Sequence, residues 1–85
     1  MRQFSYTITD PLGIHARPAG ELVKKAKEFQ SEMTIAKGGK SADLKKLFAV
    51  LKLGVKHSDT IEIAIEGADE QDAEPAVKSF LESNL

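Results

Sequence analysis

The sequence predicts an α+β domain: an antiparallel sheet with helices packed on one face, in the order βαββαβα. Three observations carry this. First, two segments alternate apolar and polar residues, the period of a half-buried strand. They are "RQFSYTIT", with Phe4, Tyr6 and Ile8 on one face, and "TIEIAIE", with Ile61, Ile63 and Ile65. Second, apolar residues recur at helical spacing at Ala19, Leu22, Val23 and Ala26, and again at Ala73, Val77, Phe80 and Leu81. Third, the connections are short, which suits strands lying beside one another under a helical layer. The 85 residues make one small domain spanning 1–85.

Each element follows in order. After the first strand, "DPLG" is a turn. The first helix begins near Ala16, and Lys24, Lys25 and Lys27 lie towards its end, where cations suit the helix dipole. "EMTIAK" is a second strand with Met33 and Ile35 inward. "GGK" turns the chain and "SAD" forms a brief third strand. "LKKLFAVLKL", residues 44–53, reads as a short helix ended by Gly54. "TIEIAIE" is the fourth strand and "GADE" turns into the last helix. Pro75 complicates that helix. If Asp69 caps it, Pro75 falls beyond the first turn and removes a needed N–H. The helix then starts later, near Asp72 or Glu74, or it is kinked there.

Composition narrows the function. Apolar residues are 41% and charged residues 29%, ordinary for a soluble globular domain. The formal net charge of −1 argues against general binding to nucleic acid. There is no cysteine, so disulfides and cysteine metal sites are out. The longest apolar run, "LFAVL" at 47–51, is too short for a membrane span or a signal-peptide core. A cytoplasmic protein without membrane insertion is expected. A chain this size buries roughly 60–65% of its unfolded surface, too little to enclose a deep pocket. Any chemistry therefore belongs at the surface, shared with a partner.

The chemistry sits in "GIHARP", residues 13–18. If the helix begins at Ala16, His15 is its N-cap. The first helical N–H groups have no partner within the helix and carry the positive end of its dipole. An anion held on His15 would lie within reach of the Ala16 and Arg17 N–H groups. Arg17 adds a guanidinium fork shaped for phosphate oxygens. Pro18 has no N–H but tolerates a first turn, and Gly13 allows a tight turn before the site. A neutral imidazole can attack phosphorus without a separate base. The same residue types also fit an unreactive cap or a solvated loop histidine. No neighbouring carboxylate in the sequence orients the ring, so the tautomer is open. His57, in the "VKHSD" turn, reads as a solvated loop residue.

Three segments together resemble a known family: "GIHARPA", "GGKSADLKKLFAVLKLG" and "EGADEQ", in order and at matching spacing along the full chain. The family is that of the histidine-containing phosphocarrier proteins (HPr) of the bacterial phosphoenolpyruvate-dependent sugar phosphotransferase system. The resemblance implies an open-faced β-sandwich, a four-stranded antiparallel sheet with three helices on one face. It implies that His15 is phosphorylated on Nδ1 by phospho-enzyme I and passes the group to the histidine of an enzyme IIA domain. Arg17 would neutralise the phosphoryl oxygens, with the C-terminal carboxylate, here that of Leu85, near the arginine. The protein would be a phosphoryl-transfer intermediate rather than an enzyme, monomeric, with no metal and no cofactor.

The implied partner surface comprises Ala16, Arg17, Gly20, Lys24, Lys27, Lys46, Leu47, Phe48 and Leu51. Ala16, Gly20, Lys24 and Lys27 share one face of the first helix, away from the core stripe. The second helix has more apolar positions than one buried side needs. Leu47, Phe48 and Leu51 are therefore expected to be partly exposed for docking. The competing reading makes Phe48 and Leu51 plain core.

Position 46 departs from the resemblance. Many members from Gram-positive bacteria carry there a serine that an ATP-dependent kinase modifies; Lys46 offers no hydroxyl, and Ser41 belongs to a different turn. Gly20 is a smaller departure, costing about 1 kcal/mol of helix stability against alanine. Two other functions compete. One is a purely regulatory, nitrogen-related phosphocarrier. The other is an RNA-binding α+β domain, which needs exposed aromatics on its sheet; Phe4 and Tyr6 instead share the face assigned to the core.

Overall fold

A computed structural model describes residues 1–85. The order βαββαβα holds, as β1 (Arg2–Thr7), α1 (Ala16–Ala26), β2 (Glu32–Lys37), β3 (Lys40–Asp43), α2 (Leu47–Lys52), β4 (Thr60–Glu66) and α3 (Glu70–Asn84). The sheet runs β1-β4-β2-β3, every pair antiparallel. β4 is hydrogen-bonded along both edges, which is why its alternation is the cleanest in the chain. The register sets Phe4 and Ile35 on either side of Ile63, and Met33 beside Ile65. These inward residues meet Leu22 and Val23 of α1, Val50 of α2, and Val77 and Leu81 of α3 in one apolar cluster.

The other sheet face is open. Ser5, Glu32, Thr34, Glu62 and Glu66 project there and are exposed. Phe4 and Tyr6 pack on the helical side, against the core. The open face has no aromatic platform on which bases could stack, so the RNA-binding reading fails on its own requirement.

Two helices begin elsewhere than expected. α2 begins at Leu47, not Leu44. Asp43 ends β3 by gathering the next turn: its carboxylate accepts from the Lys45 N–H at 2.9 Å and its carbonyl from the Lys46 N–H at 3.0 Å. Leu44 therefore enters the core from that turn, fully buried. Its spacing with Leu47, Phe48 and Leu51 matches a helical period without belonging to a helix. α3 begins at Glu70 and contains Pro75. Pro75 and Gln71, whose carbonyl loses its usual donor, both lie on the exposed side, so the break does not open the core.

Asp69, at the N-cap position of α3, does not cap that helix with its side chain. It reaches across to the α1–β2 connection and accepts from the Gln30 and Ser31 N–H groups at 2.8 and 2.9 Å, and from the Ser31 hydroxyl. Those bonds, the Ser31 hydroxyl foremost, hold its carboxyl below the usual range. The contact gives buried Ser31 its partner and ties the end of α1 to the start of α3.

Candidate functional site

The site is built on the loop between β1 and α1. Asp10 opens it with a turn: its side-chain Oδ1 accepts from the Leu12 N–H at 2.8 Å, and its carbonyl from the Gly13 N–H at 2.9 Å. Gly13 has φ +69° and presses against the backbone of Val55 and Lys56. Ile14 completes the staple, donating to the Val55 carbonyl at 3.0 Å. The histidine loop is thus fixed to the segment that follows α2, and α1 and α2 share one frame.

His15 is the N-cap residue of α1, in an extended conformation (φ −106°, ψ 179°). Its carbonyl accepts from Ala19, while the Ala16 and Arg17 N–H groups have no partner in the chain. Its ring is half-exposed in a shallow cleft of about 310 Å³ lined by Asp10, His15, Arg17, Pro18, Glu21 and Asn84. The ring makes no hydrogen bond to the protein. This arrangement can place an anion on the imidazole in the field of two free amides.

The sequence reading named no carboxylate for the ring, and there is one. Asp10 Oδ2 lies 3.7 Å from His15 Nε2. Four residues separate them, but the Asp10 turn and the Gly13 reversal fold the intervening chain back. Arg17 and Leu85 also differ from expectation. The Arg17 side chain is 90% exposed and turned along the helix to Glu21, with Nε 3.9 Å from Oε1. Leu85 has its side chain in the core, and its main-chain oxygen accepts from the Thr9 and Asp10 N–H groups and the Thr9 hydroxyl. The chain end therefore grips the Asp10 loop instead of pairing with Arg17, because the buried leucine draws it there.

On the expected partner face, Ala16, Lys24, Lys27 and Lys46 are exposed and Gly20 is half-buried. Phe48 is 76% exposed, so its reading as core is wrong; Val50 takes the buried side of α2 instead. Leu47 and Leu51 are half-buried against the core. One apolar residue was missed. Leu12, in the turn before His15, is 71% exposed. A leucine in an otherwise Asp-Pro-Gly turn was the available signal.

Residues 2–83 match the family described as the PTS HPr component phosphorylation site. The phosphocarrier protein HPr of Mycoplasma genitalium is 42% identical over 85 residues, covering 99% of this chain and 97% of that protein. A solved mycoplasmal histidine-containing phosphocarrier protein superposes with a TM-score of 0.93 at 36% identity, covering 96% of this chain and 93% of that one. HPr of Thermoanaerobacter tengcongensis does so with a TM-score of 0.93 at 31% identity, covering 98% and 93%. An HPr from that organism is also solved as a dimer. No helix here is long and apolar enough to cross a membrane. With family match, full-length relatives and fold in agreement, the chain belongs to the HPr family of phosphocarrier proteins of the phosphotransferase system.

Proposed function

We propose that this chain accepts a phosphoryl group on His15 from phospho-enzyme I and delivers it to enzyme IIA domains in sugar uptake. The observation that carries this is the half-exposed His15 ring at the start of α1, beside two amides that nothing else uses. The Nδ1 lone pair attacks phosphorus, and the N–P bond to the donor histidine breaks as the new one forms. Delivery runs the same exchange in the other direction. The Ala16 and Arg17 amides meet the phosphoryl oxygens, and Arg17, which only a weak exposed pair holds to Glu21, is free to swing over them.

Docking uses Phe48 as the anchor, with Leu47 and Leu51 beneath it and Ala16 and Gly20 flanking. Lys24, Lys27 and Lys46 form a basic rim for acidic partners that must leave quickly. The protein acts as a cytoplasmic monomer and turns over no substrate of its own. Transfer of labelled phosphate from the charged protein to a sugar-specific enzyme IIA domain tests the assignment. Efficient transfer is expected; acceptance by regulatory IIA domains alone would assign the nitrogen-related role instead.

Lys46 at the N-cap of α2 leaves the serine-directed branch of regulation without a target. Incubation with the ATP-dependent kinase is expected to yield no acid-stable phosphate on this chain. Stoichiometric acid-stable incorporation would contradict that.

A further inference from the structure

We propose that Asp10 is the positioning residue of His15, a role that rests on the phosphocarrier reading above. It takes the Nε2–H of the ring, leaves the Nδ1 lone pair as the nucleophile, and offsets the positive charge the imidazole gains as its bond to phosphorus forms.

The argument begins with how completely Asp10 is committed. Its N–H donates to the Leu85 main-chain oxygen at 2.8 Å. Its carbonyl accepts from Gly13 and its Oδ1 from Leu12. Only Oδ2 has no partner, and it faces His15 Nε2 at 3.7 Å. Backbone and side chain are therefore held so that one carboxylate oxygen is presented to one ring nitrogen. At 3.7 Å the contact is electrostatic and longer than a hydrogen bond. Catalytic contacts of this kind commonly tighten once the substrate is bound.

Chemistry gives the contact its direction. When Nδ1 bonds to phosphorus, Nε2 keeps its proton and the ring becomes cationic. A carboxylate on Nε2 stabilises that ring and fixes its orientation without taking the proton, as the aspartate of a Ser-His-Asp triad does for its histidine. The other charged groups of the cleft do not compete for this place. No carboxylate other than Asp10 lies within 4 Å of a His15 ring nitrogen, and Asn84 is neutral. Leu85 joins the arrangement indirectly: its buried side chain anchors the oxygen that holds the Asp10 amide.

The test compares Asp10→Asn with Asp10→Ala in the full chain. Asparagine keeps a side-chain oxygen for the Leu12 amide and loses only the charge; alanine loses both. Phosphorylation by phospho-enzyme I is followed as kcat and KM, and the His15 ring nitrogens are followed by 15N NMR in the unphosphorylated protein. Asp10→Asn is expected to lower kcat about tenfold, the Coulombic scale for one carboxylate this close in a partly aqueous site. KM for phospho-enzyme I should stay unchanged, and the Nε2 resonance should move. Full activity and an unmoved ring signal in Asp10→Asn would overturn the proposal, even if Asp10→Ala were impaired, since Asp10 would then only cap its loop. Failure of the native protein to accept phosphate would count against the role of His15 instead. The ring signal, read without phosphorylation, would still decide whether Asp10 holds the imidazole.

Discussion

Gly13→Ala is expected to lower the melting temperature by about 8–40 °C. For a domain of this length 1 kcal/mol shifts the midpoint by roughly 4–8 °C. Two costs add here. The residue sits at φ +69°, where a Cβ costs about 1–2 kcal/mol. The added atom also meets the Val55 carbonyl and the Lys56 backbone, with Lys56 Cα only 2.6 Å away. Backbone cannot rotate aside as a flexible side chain does, so the loop must shift, at a further cost of roughly 1–3 kcal/mol. That loop carries His15, so phosphoryl acceptance should slow as well. Gly20→Ala is the internal control. It lies in α1 with no atom within 4 Å of an added Cβ, and alanine there should raise stability by about 1 kcal/mol. Thermal denaturation of both variants checks the pair; an unchanged midpoint for Gly13→Ala would mean the loop is not pinned to Val55 as described.

Phe48→Ala is expected to raise KM for phospho-enzyme I by roughly 10- to 100-fold, the cost of removing an interface anchor. Stability should stay within about 0.5 kcal/mol of the native protein, because the side chain is 76% exposed and its loss opens no cavity. Steady-state phosphorylation with melting curves on the same preparation separates the two effects. Val50, buried on the opposite side of α2, should behave the other way round on truncation: loss of stability with docking retained. An unchanged KM for Phe48→Ala would remove α2 from the docking surface.

The elements that sequence predicts well are those whose local pattern and tertiary role coincide. β4 alternates because both edges and one face are buried, and the Ala19–Ala26 stripe of α1 is a helix face packed on a core. α2 shows where this breaks down. Leu44 has the spacing of a helical core residue, yet Asp43 forms a turn and delivers it to the core from outside the helix. Pro75 misleads in the opposite direction. Its local cost is real, but exposure on the solvent side lets α3 run through it.

At the site, His15 as N-cap and the free amides of Ala16 and Arg17 were legible from residue type and order, since helix ends are local features. Asp10 was not. Its approach to the ring depends on a turn, a left-handed glycine and the docked end of α3 acting together. No spacing rule encodes such a contact. The same holds for Leu85, whose oxygen is placed by burial of its side chain far along the chain from Thr9 and Asp10.

The most direct measurement of the central claim is the intact mass of the protein after incubation with phosphoenolpyruvate and enzyme I. A gain of one phosphate is expected, lost on mild acid treatment as an N–P bond requires and absent from His15→Ala. No gain on the native protein with competent enzyme I, or an equal gain on His15→Ala, would contradict the assignment of His15 as the phosphoryl carrier.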